Sequence, residues 1–410
     1  MQNRSAEIAI IGAGPAGAHL ASRLAAVGRD VVLFDPKGAW EKPCGGGVPT
    51  RAIREFAFLL ENSNYPHKLV RRITMISPLD RRVTVTLDEP FAVYSREVLN
   101  RIVLDRAIAS GALFVRDAVS EFTREPEGWL ISTNSGEQWR CDFLVGADGA
   151  ASFTRRRLIG IFPKQDLALA FGYNIECVNG SGSKNGGPDP DEVVVRFPRD
   201  FTGYLWAFPR PGVMNFGVAS KLGERTSDEL RTLLTDFVRG YYGGKMPEPE
   251  QTSFFGAKIP TLDVASWKDL RATGDGWALI GDAAGFADPI TGEGIYYAFK
   301  SADLLADALC ESKGQRLSGN GSQNAYACNE AAASYESRWR EVFGRDLEHA
   351  SYRLPHFYHG SFFGRIFTDA MIMLARHHRG VRTILGRALV GEQSYVTLKR
   401  DLLRRAWQVF

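Results

Sequence analysis

Residues 7 to 12, EIAIIG, form a short, largely β-branched apolar run of the kind that suits a strand buried on both faces. Residues 15 to 27 are rich in Ala and Leu at helical spacing, and Val31-Val32-Leu33-Phe34 is a second buried run. Strand, glycine turn, helix and strand within about 30 residues make a βαβ unit, which predicts a parallel sheet. Between 70 and 95 the texture changes. Arg82 to Leu87 alternate polar with apolar, as an antiparallel strand with one wet face does. The pattern then predicts a helix over 96–110 and a buried strand at Phe143-Leu144-Val145. Alternation returns between 166 and 260, in VVVRF, YLWAFP and MNFGVA, broken by a Gly-, Ser- and Asn-rich insert at 179–190, and predicts a second, mainly antiparallel sheet. Trp277 to Ile280 is another short apolar run, ahead of a long helical pattern from 293 to about 311. Beyond 325 helical spacing dominates, with breaks expected at Pro355, Gly360, Gly380 and Gly391. The expected division is an α/β unit (1–70, 96–165 and 268–335), an inserted antiparallel sheet unit (71–95 and 166–267) and a C-terminal helical region (336–410).

Composition narrows the function classes. With 410 residues, 44% hydrophobic and 24% charged, the chain has ordinary globular usage, and no run of about 18 apolar residues occurs. Disorder and a membrane-spanning helix are therefore not expected. The net charge of +3 is too small to point to nucleic acid as a partner. It is unevenly spread. Residues 338–410 hold 13 Lys plus Arg against 6 Asp plus Glu, so a basic tail at +7 follows a body at −4. The tail also carries Phe357, Tyr358, Phe362, Phe363, Phe367, Met371 and Met373, which suits either helices lying on an anionic membrane surface or a helical cap whose aromatics pack on the α/β unit. Five widely spaced cysteines without a CxxC pair fit neither a disulfide framework nor a zinc site. No metal site is expected from the histidines either: His377-His378 are adjacent on a helix and point apart, and His356 and His359 are an isolated pair. The N-terminal residues lack a secretory pattern, so a cytoplasmic protein, peripheral to a membrane if the tail binds one, is expected.

The glycine turn carries the first chemistry. In Gly12-Ala13-Gly14-Pro15-Ala16-Gly17, the first glycine permits the tight turn, Gly14 lets backbone approach a pyrophosphate and Gly17 lets helix and strand close up. Asp35, followed by Pro36, ends the next strand 18 residues after Gly17, placed to accept ribose hydroxyl hydrogen bonds. That context predicts a dinucleotide site. Gly146-Ala147-Asp148-Gly149 also follows a strand, and so does Gly281-Asp282-Ala283-Ala284, which runs on through Pro289 to Gly292-Glu293-Gly294-Ile295 at a helix start.

With these segments the chain resembles the flavoprotein family whose fold is that of para-hydroxybenzoate hydroxylase. The resemblance implies a Rossmann-like FAD domain with an inserted sheet domain. It also implies that Asp282 hydrogen-bonds the ribityl chain, that the amides of Gly292 to Gly294 face the pyrimidine edge of the flavin, and that Arg96 lies near it. Lys42-Pro43-Cys44-Gly45-Gly46-Gly47 and the box Tyr204-Leu205-Trp206-Ala207-Phe208-Pro209, followed by Asn215 to Val218, narrow the resemblance to the geranylgeranyl reductase family over about residues 5 to 310. That family reduces isolated carbon–carbon double bonds of isoprenoid chains with reduced FAD, which implies an apolar isoprenoid or lipid substrate.

Tyr204, Trp206 and Phe208 share one side of a strand, either as an aromatic wall of a lipid-sized cavity or as sheet core. Cys44, Tyr204 and Trp206 are the candidate catalytic side chains, with Cys44 read either as a thiol over the flavin or as a small packing residue. Two further functions fit the scaffold: a flavin-dependent monooxygenase or halogenase, and a non-catalytic lipid- or quinone-binding flavoprotein. The sequence has no second nucleotide motif, which leaves NADPH and ferredoxin both open as reductant, and the oligomeric state is not legible.

Overall fold

The computed structural model describes residues 4–61, 64–177, 189–312 and 321–406; most of the insert at 179–190 lies outside these. At the centre of one eight-stranded sheet is Arg4–Ile11, parallel to Val31–Phe34 on one side and to Gln138–Gly146 on the other. Leu113–Val115 and Trp277–Leu279 extend it in parallel on either side, and Thr273–Gly274 adds an antiparallel edge beyond the latter. A hairpin, Val119–Glu125 with Gly128–Thr133, hangs antiparallel from Gln138–Gly146, and the sequence pattern did not announce it. Ile8, Ile10, Leu33, Phe143 and Val145 are buried with Leu20 and Leu24 of helix Pro15–Ala26 and Phe299 and Leu305 of helix Ile295–Glu311. Each such side chain contributes roughly 2 kcal/mol of burial.

The second sheet is antiparallel except where Glu192–Arg196 runs parallel to His67–Ile76. It begins at His67, earlier than the expected boundary at 71, and takes in Gly47–Val48, which pair with Arg82–Tyr94. Its two faces have different covers. Leu205, Ala207, Phe216 and Val218 pack on Leu230 and Leu234 of helix Ser227–Tyr241, whose N-terminus Thr226 and Glu229 close with a reciprocal capping box. Ile73, Met75, Val83, Val85, Val193 and Val195 instead face Leu354, Ile372, Ala375 and Val381 of the C-terminal helices.

The basic tail is thus a cap on both units: Trp339, Phe343 and Leu347 pack into the α/β core beside Phe286 and Tyr297, as one of the two expected readings has it, and the helices beyond them cover the second sheet. Tyr358 and Met371 are buried in the cap, whereas Phe362 and Phe363 are exposed. Pro355 does not break a helix: it lies inside Arg345–His359, its own ring exposed. The break expected at Gly380 falls two residues earlier. Helix Phe367–His377 ends before His378, whose Nδ1 accepts from Val381 N at 3.4 Å as the cap of Arg379–Leu389, so the two histidines do not share a helix. A short hairpin, Ser361–Phe362 with Arg365–Ile366, interrupts the helical run.

Candidate functional site

A cavity of about 620 Å³ runs from the glycine turn to the cap, bounded by both sheets and the C-terminal helices. At the α/β end Gly12 takes φ 106°, and a Cβ there would stand 2.5 Å from the Ala147 carbonyl oxygen. Helix Pro15–Ala26 starts with proline behind Gly14 and has no side-chain cap, so its first amides are open to an anion. Asp35 is held by backbone: one carboxylate oxygen accepts from Ala13 N at 2.9 Å, the other from Lys37 N and Gly38 N at 2.8 and 2.9 Å. Lys42 Nζ reaches Asp282 Oδ2 at 3.2 Å. Asp282 does not cap the following helix. Asp148 accepts from Ser152 Oγ, from Thr154 N at 2.9 Å and from Thr154 Oγ1 at 3.1 Å, and burial raises its pKa.

Arg96 is buried rather than solvated. It begins helix Arg96–Ala109, capped by Ser95, its Nη2 donates to Asn100 Oδ1 at 3.3 Å, and its Nε is buried with no partner. A buried guanidinium nitrogen without a partner and an uncapped helix N-terminus on one cavity are what a flavin dinucleotide, with its polar ring edge and anionic pyrophosphate, would satisfy. The residues present therefore fit FAD.

The middle of the cavity is the loop 42–47 against the aromatic strand. Gly46 has φ 79°, and a Cβ there would lie 1.9 Å from the Tyr94 carbonyl oxygen. The loop is pinned: Tyr94 N donates to Gly46 O at 2.9 Å, and the buried Arg210 donates to the carbonyls of Cys44 and Gly45 while pairing with Glu41 at 2.7 Å. Cys44 Sγ accepts from Gly46 N at 3.3 Å. Tyr204, Trp206 and Phe208 all face the cavity, with Leu205 and Ala207 turned to the opposite face of the sheet. Trp206 lies across Gly217 of the neighbouring strand, where a Cβ would be 1.9 Å from the indole, and its Nε1 donates to Asn215 Oδ1 at 2.7 Å.

The loop 288–294 is held from three sides. Tyr204 donates to Thr291 O, Tyr358 to Ile290 O at 2.8 Å and Tyr395 to Asp288 Oδ2 at 2.8 Å. Burial raises the pKa of Tyr204, and it lifts the Glu293 carboxyl to about 8 while Glu293 accepts from Tyr296 N at 2.7 Å.

Of the residues singled out from sequence, Pro15, Ala16, Pro36, Lys42, Gly45, Gly47, Gly149, Gly292, Gly294 and Ile295 also line the cavity. Gly17, Gly281 and Pro289 do not. A Cβ on Gly17 would fall 1.9 Å from Gly12 O, Gly281 N is tied to Ser301 Oγ at 3.0 Å, and Pro289 is turned to the back of its loop, so these three shape the walls from behind. Sequence reasoning missed Glu41, Arg210 and Tyr395, and it named the tail aromatics without placing them on the cavity, where Phe357, Phe367, Ile384, Leu389 and Leu402 complete an apolar end beside Arg353.

A family model described as an FAD binding domain matches residues 5–173. The chain is 30% identical over 311 residues to the geranylgeranyl diphosphate reductase of Rhodobacter capsulatus, covering 73% of each chain. It is also 30% identical over 329 residues to the menaquinone reductase of Mycobacterium tuberculosis, covering 74% of this chain and 76% of the relative. A geranylgeranyl bacteriochlorophyll reductase-like protein from Thermoplasma acidophilum superposes with a TM-score of 0.74 at 20% identity, over 100% of this chain and 97% of the other, which establishes the shared fold.

Proposed function

The chain belongs to the geranylgeranyl reductase family of FAD-dependent oxidoreductases, and from that premise we propose that it reduces carbon–carbon double bonds in an isoprenoid or similarly lipid-like substrate. The observation that carries this reading is the continuity of the cavity: a cleft fitted to FAD opens directly into an apolar passage lined by Tyr204, Trp206, Phe208, Phe357, Phe367 and Leu389. A polyprenyl chain matches such a lining, and few polar groups compete for it.

The chemistry supplied by FAD, when bound and reduced, is hydride delivery to one alkene carbon. The aromatic wall and the cap exclude water and hold the apolar chain in place. Lys42 and Arg96 would hold the polar parts of the cofactor, and the amides at 292–294 would favour negative charge on its ring. The second alkene carbon needs a proton. Tyr204 has its hydroxyl proton committed to Thr291 O and Trp206 has its N–H committed to Asn215, whereas the Cys44 thiol, on the same stretch of cavity, accepts from Gly46 N and donates to no group among the described residues. Cys44 is therefore the proposed proton donor, with Tyr204 and Trp206 as wall.

An anaerobic titration tests the reading. Reduced holoprotein is expected to be reoxidised on adding a polyprenyl alkene, and Cys44→Ala to slow that step by about 100-fold, in the range for loss of a general acid. Product formation that requires oxygen would instead assign a monooxygenase or halogenase. Persistent FAD binding with no turnover in either assay would assign a binding protein. Rapid-mixing reduction with NADPH and with reduced ferredoxin, run in parallel, identifies the electron donor.

A further inference from the structure

The hairpin between the cap helices Arg345–His359 and Phe367–His377 places two aromatic side chains in water. Phe363 is 90% exposed and Phe362 is 37% exposed, their rings 4.5 Å apart. Phe363 has φ 49°, in the left-handed region that a bulky residue rarely occupies, and Gly364 follows at φ 73°. That strained turn directs the ring away from the protein instead of into a core. Both flanking helices line the cavity, through His356 and Phe357 on one side and Phe367, Thr368 and Met371 on the other. The tip therefore stands at the edge of the apolar end.

Charge along the segment that carries the tip is one-sided, although Glu224 lies close to its base, where Thr202 bonds both Glu224 and His359. From Arg353 to Gly391 the chain has six arginines and a single carboxylate, Asp369. Asp369 is fully buried, bonded to Ser77 at 2.7 Å and paired with Arg81 at 3.1 Å. The guanidinium groups of Arg365, Arg376 and Arg379 are exposed and have no ion pair or hydrogen bond among the described residues.

We propose that the Phe362–Phe363 tip inserts into the surface of an anionic lipid bilayer, with Arg365 beside it and Arg376 and Arg379 further along the same segment on the headgroups, so that the cavity opens toward the membrane. Exposed aromatics beside unpaired cations match an anionic interface on both counts. A second copy of this chain would instead bring the same cations face to face. The proposal leans on the isoprenoid reading only for its purpose, since a substrate dissolved in the bilayer would then reach the cavity at the tip.

Co-sedimentation of the full FAD-loaded chain with phosphatidylcholine vesicles, with and without phosphatidylglycerol, tests it. Binding is expected with phosphatidylglycerol present and is expected to weaken as salt rises. The double variant Phe362→Ser, Phe363→Ser is expected to bind about tenfold more weakly. Arg365→Gln is expected to bind about fivefold more weakly. Both should keep the wild-type flavin spectrum and thermal midpoint, because the altered side chains are exposed. As an independent measurement, the emission added by Phe363→Trp should be quenched by brominated lipid. Wild-type protein that ignores anionic vesicles, or a double variant that binds like wild type, overturns the proposal. So does a double variant that changes only the oligomeric state, which would make the tip a self-association surface. Vesicle binding without reduction of any alkene would leave this proposal standing and remove the reductase reading.

Discussion

Glu293 is a carboxyl group that burial holds far from its ordinary behaviour. Its pKa is raised from 4.5 to about 8, first by desolvation and then by the nearby Asp288. Between those two values the folded state keeps a proton that the unfolded chain releases. The associated stability is complete below the unfolded pKa and is lost as pH rises through the folded one. Thermal midpoints of wild type should therefore fall between about pH 5 and about pH 9, and Glu293→Gln should flatten that decline, since glutamine keeps the acceptor for Tyr296 N and never ionises. An equally steep decline in the variant would locate the effect elsewhere. At this scale the sequence was legible where a residue acts on its own backbone, as Gly12 does. It was silent where the partner is remote: Arg210 directly follows the aromatic box, but the carboxylate it pairs with, Glu41, lies 169 residues away.

Among elements, the aromatic strand and its neighbour form one unit. Period-2 alternation alone placed Tyr204, Trp206 and Phe208 on a common face, because side-chain direction in a strand is local geometry. It could not show that Asn215 and Gly217 exist for Trp206, one bonding the indole N–H and the other leaving room for the ring. Gly217→Val should force the indole out of place and cost about 1–3 kcal/mol, read from denaturant unfolding. Combined with Trp206→Ala, the same valine should cost much less, and a double-mutant cycle with no coupling would refute the pairing. Helix ends were read less well than strands. Pro355 and Gly380 are ordinary break signals, yet the first lies inside a continuous helix, and the cap at His378 ends the preceding helix before the second.

For the whole molecule, the loop 288–294 is where the α/β unit, the second sheet and the cap meet, through the hydroxyls of Tyr204, Tyr358 and Tyr395. Tyr358→Phe with Tyr395→Phe should leave the fold intact but strip two buried hydrogen bonds, each worth about 1–3 kcal/mol where a buried acceptor is left unsatisfied. Flavin release on heating should then come at lower temperature than in wild type, whereas release unchanged alongside a lowered unfolding midpoint would mean that the cap and the loop are not coupled. The sequence offers a helical cap as one reading of the tail but not its junction with this loop, because the tail has no glycine or acid signature and its purpose lies in what it covers. The division of the cavity between early and late segments also bears on how the protein is made. One wall comes from residues 42–47 and 193–208 and the facing wall from 353–402, so a ribosome working at roughly 5–20 residues per second leaves the aromatic wall bare for many seconds. A nascent chain in that interval presents a sticky, lipid-seeking surface, and the cell must shield it until the cap emerges.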